Sequence, residues 1–241
     1  MENSALIRTV NLTKIYPSGE QPITALRDVN LVFQAGEFAG LVGPSGSGKT
    51  TLLKSLIGVL PLEGGAISFE GQCLNKMSPY QRSRAGMGYV PQGREILSNL
   101  TVRENLELGM LGHKGINCTQ QMKKVLDYFP SLNVHLERNG GVLSGGLQQQ
   151  LAIARCLMAS PRLMLLDEPT EGIQPNIVAE IADILISISE EMSITTIVVE
   201  QNLKFARKLA DSYLMMQKGQ VVDRGRTCEL TEETAKHYLA V

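Results

Sequence analysis

The chain has 241 residues, enough for one large domain or two small lobes around a substantial core. Hydrophobic residues make up 43% and charged residues 20%, which excludes a disordered chain. Lys+Arg is 23 against Asp+Glu at 24, so the net charge of −1 lacks the basic excess of a nucleic-acid binder, and no nucleic-acid partner is expected.

The longest run without Asp, Glu, Lys or Arg, residues 139–154, spans 16 positions and carries four Gly and three Gln. That is too short and too polar for a membrane span, which needs about 20 mostly apolar residues. The start, Met1-Glu2-Asn3-Ser4, has no apolar stretch behind a positive charge, so a cytoplasmic chain without a secretory signal is expected. Cys73, Cys118, Cys156 and Cys228 form no Cys-x-x-Cys pair and are expected to be reduced, mostly buried thiols. His113, His135 and His237 have no ligand spacing, so no metal site built from protein side chains alone is expected.

In chain order, residues 6–11, 26–33, 38–42 and 66–69 are short apolar runs between Gly, Pro and Asp turns and are expected to be strands. Residues 51–60 are expected to form a helix ending before Pro61. Between Arg94 and Pro161 the pattern turns helical: 102–111, then 119–129 stopped by Pro130, then a helix from near Gly145. That last helix carries Leu147, Leu151, Ala154 and Met158 on one face. Residues 163–166 and 195–199 are continuous apolar runs, the mark of strands buried on both faces. Between them, 176–191 has Ile177, Ile181, Ile184, Leu185 and Ile188 near helical spacing, and 213–217 and 220–223 are expected as two late strands around Lys218-Gly219. The alternation predicts an α/β fold with a largely parallel sheet, interrupted by a helical insertion.

Three segments carry chemistry. Gly43-Pro44-Ser45-Gly46-Ser47-Gly48-Lys49-Thr50 fits the phosphate-loop pattern G-x-x-x-x-G-K-[ST] between a strand and a helix. Its glycines let backbone N–H groups turn toward phosphates, with the positive end of a helix behind them. Lys49 supplies charge to the β- and γ-phosphates, and the Thr50 hydroxyl suits Mg²⁺. Leu163-Met164-Leu165-Leu166-Asp167-Glu168 is an apolar strand closing on two carboxylates, which on a parallel sheet face the ligand crevice. There Asp167 is expected to hold Mg²⁺ through water and Glu168 to orient or deprotonate the attacking water. Ser144-Gly145-Gly146 opens the helix ahead of that strand and forms a second candidate anion cradle. One chain already has its phosphate loop, so the second cradle suggests ATP sandwiched between two copies.

With these motifs in this order, the chain resembles the ATP-binding subunits of ABC transporters from Tyr16 to the C-terminus. The resemblance implies a P-loop NTPase (RecA-like) α/β core with an N-terminal antiparallel β subdomain. The whole of 1–241 would be one ABC ATPase domain, with 1–93 and 161–241 as core and 94–160 as an inserted all-helical subdomain. It implies that Tyr16 stacks on adenine, and that residues 43–51, ending in Thr51, bind the phosphates. Gln92, in Tyr89-Val90-Pro91-Gln92, would touch Mg²⁺ and water and sense the permease. Ser144, Gly145 and Gly146 would grip the γ-phosphate of ATP on the opposing subunit. The implied partners are a second copy or a homologous ATPase, integral permease subunits whose coupling helix enters a groove of the helical subdomain, and, indirectly, a substrate-binding protein. The subunit would sit on the inner face of the membrane.

The departures from the family pattern narrow the branch. Glu200 leads into Gln201 where many members carry His, and Gln201 can hydrogen-bond a phosphate but cannot titrate near neutrality. Glu171-Gly172-Ile173-Gln174-Pro175 stands where a Ser-Gly-Leu-Asp type sequence is usual, and Leu147 replaces the polar residue that commonly follows Ser-Gly-Gly. The Glu-Gly and Glu-Gln pairs resemble importers of branched-chain amino acids and amides. Pro91-Gln92-Gly93-Arg94-Glu95, the 171–175 string and the tail His237-Tyr238-Leu239-Ala240-Val241 most resemble the urea and short-chain amide subunits. A branched-chain amino-acid importer and a soluble ABC module without a permease are the alternatives. A GTPase is disfavoured because the only Asn-Lys, Asn75-Lys76-Met77-Ser78, lacks the Asp of the guanine motif.

Overall fold

The computed structural model describes residues 5–17, 21–113 and 115–230. Two sheets form the framework. A four-stranded antiparallel sheet has the order β2-β1-β4-β5, from β1 (Ile7–Tyr16), β2 (Ile23–Phe33), β4 (Gly64–Phe69) and β5 (Gln72–Cys73). A six-stranded sheet has the order β10-β9-β3-β8-β7-β6. It combines β3 (Phe38–Val42), β6 (Met87–Val90), β7 (Leu163–Asp167), β8 (Thr195–Glu200), β9 (Ser212–Gln217) and β10 (Gln220–Arg226). Its first five members from the β6 edge run parallel, and β10 returns antiparallel after the Lys218-Gly219 turn.

The parallel strands are buried on both faces, and alternate residues enter different cores. Ala39 and Leu41, with Leu163 and Leu165, pack toward the antiparallel sheet and helix α1 (Lys49–Ile57). Phe38, Met164, Leu166 and Val198 face the opposite way, toward the helices. This is why these strands read as unbroken apolar runs rather than alternating ones. Helices α3 (Val102–Leu108), α4 (Cys118–Tyr128), α5 (Pro130–Asn133) and α6 (Gly145–Leu157) fall between β6 and β7, with fully buried Phe129 at their centre. Helix α7 (Pro175–Met192) links β7 to β8 and α8 (Leu203–Leu209) links β8 to β9.

Several expectations need adjusting. The first helix begins at Lys49 and ends at Ile57, because Gly58 takes a left-handed conformation at φ 84 and returns N–H bonds to Lys54 and Ser55. Helix α2 (Pro79–Arg84), built on a Ser78–Gln81 capping box, and strand β6, only four residues long between Gly86 and Pro91, give little periodic signal. Helices α5 and α8 are likewise too short to announce themselves. The cysteines are not mostly buried: Cys73, Cys118 and Cys228 are exposed. They lie in a two-residue edge strand, at the first residue of α4 and in a short 3-10 turn, where there is no core to receive them. Cys156 alone packs inward against Gly88, and burial pushes its thiol up to about 12.

Arg82, on α2, is the buried charge that ties the phosphate-loop helix to the chain leading into β6. Its guanidinium donates to Ser55 O at 2.8 Å and Leu56 O at 2.7 Å in the last turn of α1, to Leu74 O at 2.9 Å and to Met77 O at 3.2 Å. Among the described residues no carboxylate pairs with it; the carbonyls at the negative end of α1 accept its hydrogen bonds instead. Arg82→Ala leaves these carbonyls unpaired and is expected to cost about 3 kcal/mol, lowering the thermal midpoint by roughly 10 °C. Arg82→Lys, with a point charge that cannot span four acceptors, should recover only part of this in the same melting experiment.

Candidate functional site

Strand register alone assembles the site. Val42 pairs with Glu200, Asp167 with Val199 and Val90 with Leu166, so β3, β8, β7 and β6 end together at one edge of the sheet. The segments that follow, 43–50, 168–171, 201–202 and 91–95, therefore converge at the carboxyl edge, where α/β sheets bind ligands. A cavity of about 660 Å³ opens there, lined by the loop residues 45–51, Gln92, Glu168, Glu171 and Gln201, with Ile23 and Lys218 on its rim.

The loop after β3 needs its glycines for space as well as for turning. A Cβ on Gly43, at φ 151, would come within 2.2 Å of Met216 O, and one on Gly48, at φ 105, within 2.5 Å of Ala25 O. Lys49 folds back inside the loop, donating to Gly43 O at 2.7 Å and Pro44 O at 2.9 Å, with Ser47 Oγ at 3.4 Å. Burial lowers its pKa, while Glu168, Asp167 and Glu200 oppose that shift. Thr50 Oγ1 donates to Asp167 Oδ1 at 2.9 Å, and the Tyr89 hydroxyl donates to Asp167 Oδ2 at 3.3 Å.

Burial raises the Asp167 pKa above the ordinary carboxylate value; the Thr50 and Tyr89 hydrogen bonds oppose the rise and the Glu168 charge adds to it. Tyr89 is itself raised, first by burial and then by Asp167.

Glu168 sits at φ 47, a left-handed conformation costly for a non-glycine residue, and its N–H is pinned to Val199 O at 3.0 Å. This kink turns its side chain away from the buried path of Asp167 into the cavity, where Gln201 Nε2 donates to Oε1 at 2.8 Å and Gln92 Nε2 to Oε2 at 3.4 Å. Gln92 also donates to Glu171 Oε2 at 2.9 Å.

Most of the residues singled out from the sequence meet at this cavity. Gly43, Pro44 and Asp167 lie just behind its lining, and Tyr16 and the Ser144-Gly145-Gly146 segment do not line it. Half-buried Tyr16 pairs with Ile23 across the antiparallel sheet, with Lys14 Nζ 5.2 Å from its ring centroid. Ser144 caps α6 and its Oγ accepts from Leu147 N at 3.4 Å, on the helical side of the molecule and exposed.

Sequence reading missed Glu200, whose Oε1 accepts from Thr170 Oγ1 at 2.7 Å and Thr170 N at 3.1 Å, and whose pKa burial raises. The signal was present: a carboxylate closes the apolar run of β8 just as Asp167 closes β7. Tyr89, Glu171 and Arg94 were read only as members of family strings, with no role of their own. Arg94 Nη1 donates to Gln148 Oε1 at 3.2 Å, linking the 91–95 loop to α6.

The set suits a nucleotide with its cation. Thr50 and Asp167 present hard oxygens side by side, and the loop offers N–H groups and an ammonium to phosphates. Among the described residues no group of three or more His, Cys, Asp or Glu could hold a metal by itself, so a cation here would draw its remaining ligands from phosphate oxygens and water. A parallel sheet carrying a phosphate loop, a buried Asp beside its Thr and an adjacent Glu at the cavity mouth defines the class of phosphate-loop nucleoside triphosphatases.

The family model described as ABC transporter matches residues 26–171. The chain is 40% identical over 200 residues to the high-affinity branched-chain amino acid transport ATP-binding protein BraG of Pseudomonas aeruginosa, covering 83% of this chain and 85% of that one. It is 32% identical over 227 residues to the probable branched-chain amino acid transport ATP-binding protein LivF of Archaeoglobus fulgidus, covering 94% of each. Among known structures, an ATP-binding cassette in a dimeric post-hydrolysis state with ADP and Pi superposes with a TM-score of 0.82 at 29% identity, covering 92% of this chain and 98% of that one. The protein belongs to the ABC transporter family and is one of its ATP-hydrolysing cassettes.

Asp167 supplies a stability test. Its folded pKa is raised, so the folded chain holds this proton more tightly than the unfolded chain does, and its contribution to stability falls as pH rises from the ordinary aspartate range through the folded value. Asp167→Asn keeps an acceptor for Thr50 and removes the buried charge. Without nucleotide the variant is expected to melt above the parent at neutral pH, with the gap closing on acidification, while Mg²⁺-dependent ATP hydrolysis falls by about 100-fold or more.

Proposed function

We propose that this cassette energises a multi-subunit importer of branched-chain amino acids from the inner face of the membrane. The observation that carries the chemistry is that Lys49, Thr50 and Glu168 line one cavity, with buried Asp167 hydrogen-bonded to Thr50. In this reading Lys49 and the loop N–H groups bind the β- and γ-phosphates, and Tyr16 with Ile23 stands at the adenine end. Thr50, Asp167 through water, and Gln92 would hold Mg²⁺, which when bound neutralises charge on the phosphate oxygens. Glu168, held by Gln201 and Gln92, orients a water for attack and takes its proton. No side chain becomes phosphorylated; positioning and charge do the work.

The assembly follows from what one chain lacks. Ser144, Gly145 and Gly146 are absent from the wall of their own cavity, which supports a sandwich in which they meet the γ-phosphate held by a second copy or a homologous ATPase. The segment 94–160 acts as the helical subdomain. Between it and the core lies a groove of about 590 Å³ among α2, β6, α3 and α6. Tyr80 at 56% exposure and Leu97 at 45% leave apolar surface open along it, which suits a short helix of a permease. None of the described helices is long and apolar enough to cross a membrane, so membrane attachment would run through such a partner.

The sequence strings favoured urea or short-chain amides as cargo, whereas BraG and LivF support the branched-chain amino-acid alternative. The strings at 91–95 and 171–175 keep amides as a second reading; the tail string 237–241 lies outside the described residues. Deletion in the source cell should abolish uptake of labelled leucine, isoleucine and valine. Loss of labelled urea uptake with amino-acid uptake intact would select the amide reading.

Glu168→Gln should bind Mg²⁺-ATP, lose hydrolysis by about 100-fold or more, and accumulate as a closed dimer on size exclusion. Normal turnover by that variant would remove Glu168 as the base. From detergent-solubilised membranes with ATP it should also recover multi-span subunits; recovery of soluble partners alone would favour a free-standing module. Leu97→Asp should lose the membrane subunits while the purified chain keeps its ATPase rate.

A further inference from the structure

Glu171 has no part in the chemistry above, yet it lines the phosphate-loop cavity and makes the shorter of the two hydrogen bonds donated by Gln92. The Gln92 amide lies 2.9 Å from Glu171 Oε2 and 3.4 Å from Glu168 Oε2. The first distance is that of a firm bond to a carboxylate; the second is near the limit. The turn bearing Glu171 is anchored, since Glu171 N donates to Glu168 O at 3.2 Å and Arg94 Nη2 reaches Glu171 O at 3.5 Å. Gln92 is the freer partner: it is exposed and precedes Gly93, whose left-handed φ of 80 has open space around it.

We propose that Glu171 is a positioning residue that holds Gln92 in a resting pose. A nucleotide arriving with its cation must then draw Gln92 off a carboxylate before the glutamine can serve the metal. Because the 91–95 loop runs on through Arg94 to Gln148 of α6, releasing Gln92 also frees one of the ties between this loop and the 168–171 turn. The proposal rests on the metal-and-water role given to Gln92 above.

The test is a double-mutant cycle on the full chain, reading the Kd of a non-hydrolysable ATP analogue with Mg²⁺ by calorimetry. Both side chains are exposed, so truncating them leaves the core intact. Glu171→Ala is expected to tighten binding about fivefold, the size of a solvent-screened hydrogen bond to a charged group. In the Gln92→Ala background the same substitution should change the Kd by less than about twofold. Equal tightening in both backgrounds would mean simple repulsion between Glu171 and the phosphates and would overturn the proposal, as would no tightening in the native background. If Gln92→Ala fails to weaken binding in the Glu171→Ala background, the metal role of Gln92 fails and the resting-pose role falls with it. Failure of the parent to bind the analogue strikes the nucleotide site itself.

Discussion

The parallel, in-register pairing of β3, β8, β7 and β6 is the constraint on which everything else depends. Residues far apart in the chain become neighbours because their strands end at one edge: Val42 opposite Glu200, Val199 opposite Asp167, Leu166 opposite Val90. Slipping one strand by a single residue would turn its side chains to the opposite core and take its chemical residue out of the cavity. Both faces are apolar, so burial alone would accept the slip; what resists it is the fit of Leu163 and Leu165 in one close-packed core and of Met164 and Leu166 in the other. Close packing thus fixes the geometry of the site indirectly, by leaving each strand one register that fits.

The site is arranged against the stability of the empty chain. Lys49, Asp167 and Glu200 are nearly buried and burial disfavours the charged form of each, while Glu168 is held in a left-handed conformation. Such features persist where the surrounding structure over-determines them. Here the sheet edge, the Thr50 and Tyr89 hydroxyls and the Thr170 turn do so. The phosphates and a divalent cation are the complementary charges that would relieve the strain. Gln201 adds an amide where a histidine would titrate, so Glu168 is oriented by donors whose charge stays constant across physiological pH.

Two arginines carry mechanical links between these parts. Arg82 joins the end of α1 to α2, and so the phosphate-loop helix to the chain entering β6. Arg94 joins the loop after β6 to the start of α6. The segment 80–97 that carries both has Tyr80 and Leu97 on the open groove and Gln92 on the cavity, so one stretch of chain touches both surfaces.

The sequence by itself determined the class. A phosphate loop is a local device, eight consecutive residues whose glycines and lysine serve one purpose, and the apolar runs at 163–166 and 195–199 declared their own burial. It also singled out Asp167 and Glu168, because two carboxylates closing an apolar strand gain meaning beside a phosphate loop, and Gln201 by its place in the family pattern. Only the tertiary structure decided which residues share a wall. The Gln92–Glu171 and Arg94–Gln148 contacts join positions 79 and 54 residues apart, and no local periodicity encodes them. The same is true of α2, α5, α8 and β6, which are too short to hold themselves and take their shape from the surfaces they pack against. Local propensity writes the motifs; strand register and burial, which belong to the whole chain, place them.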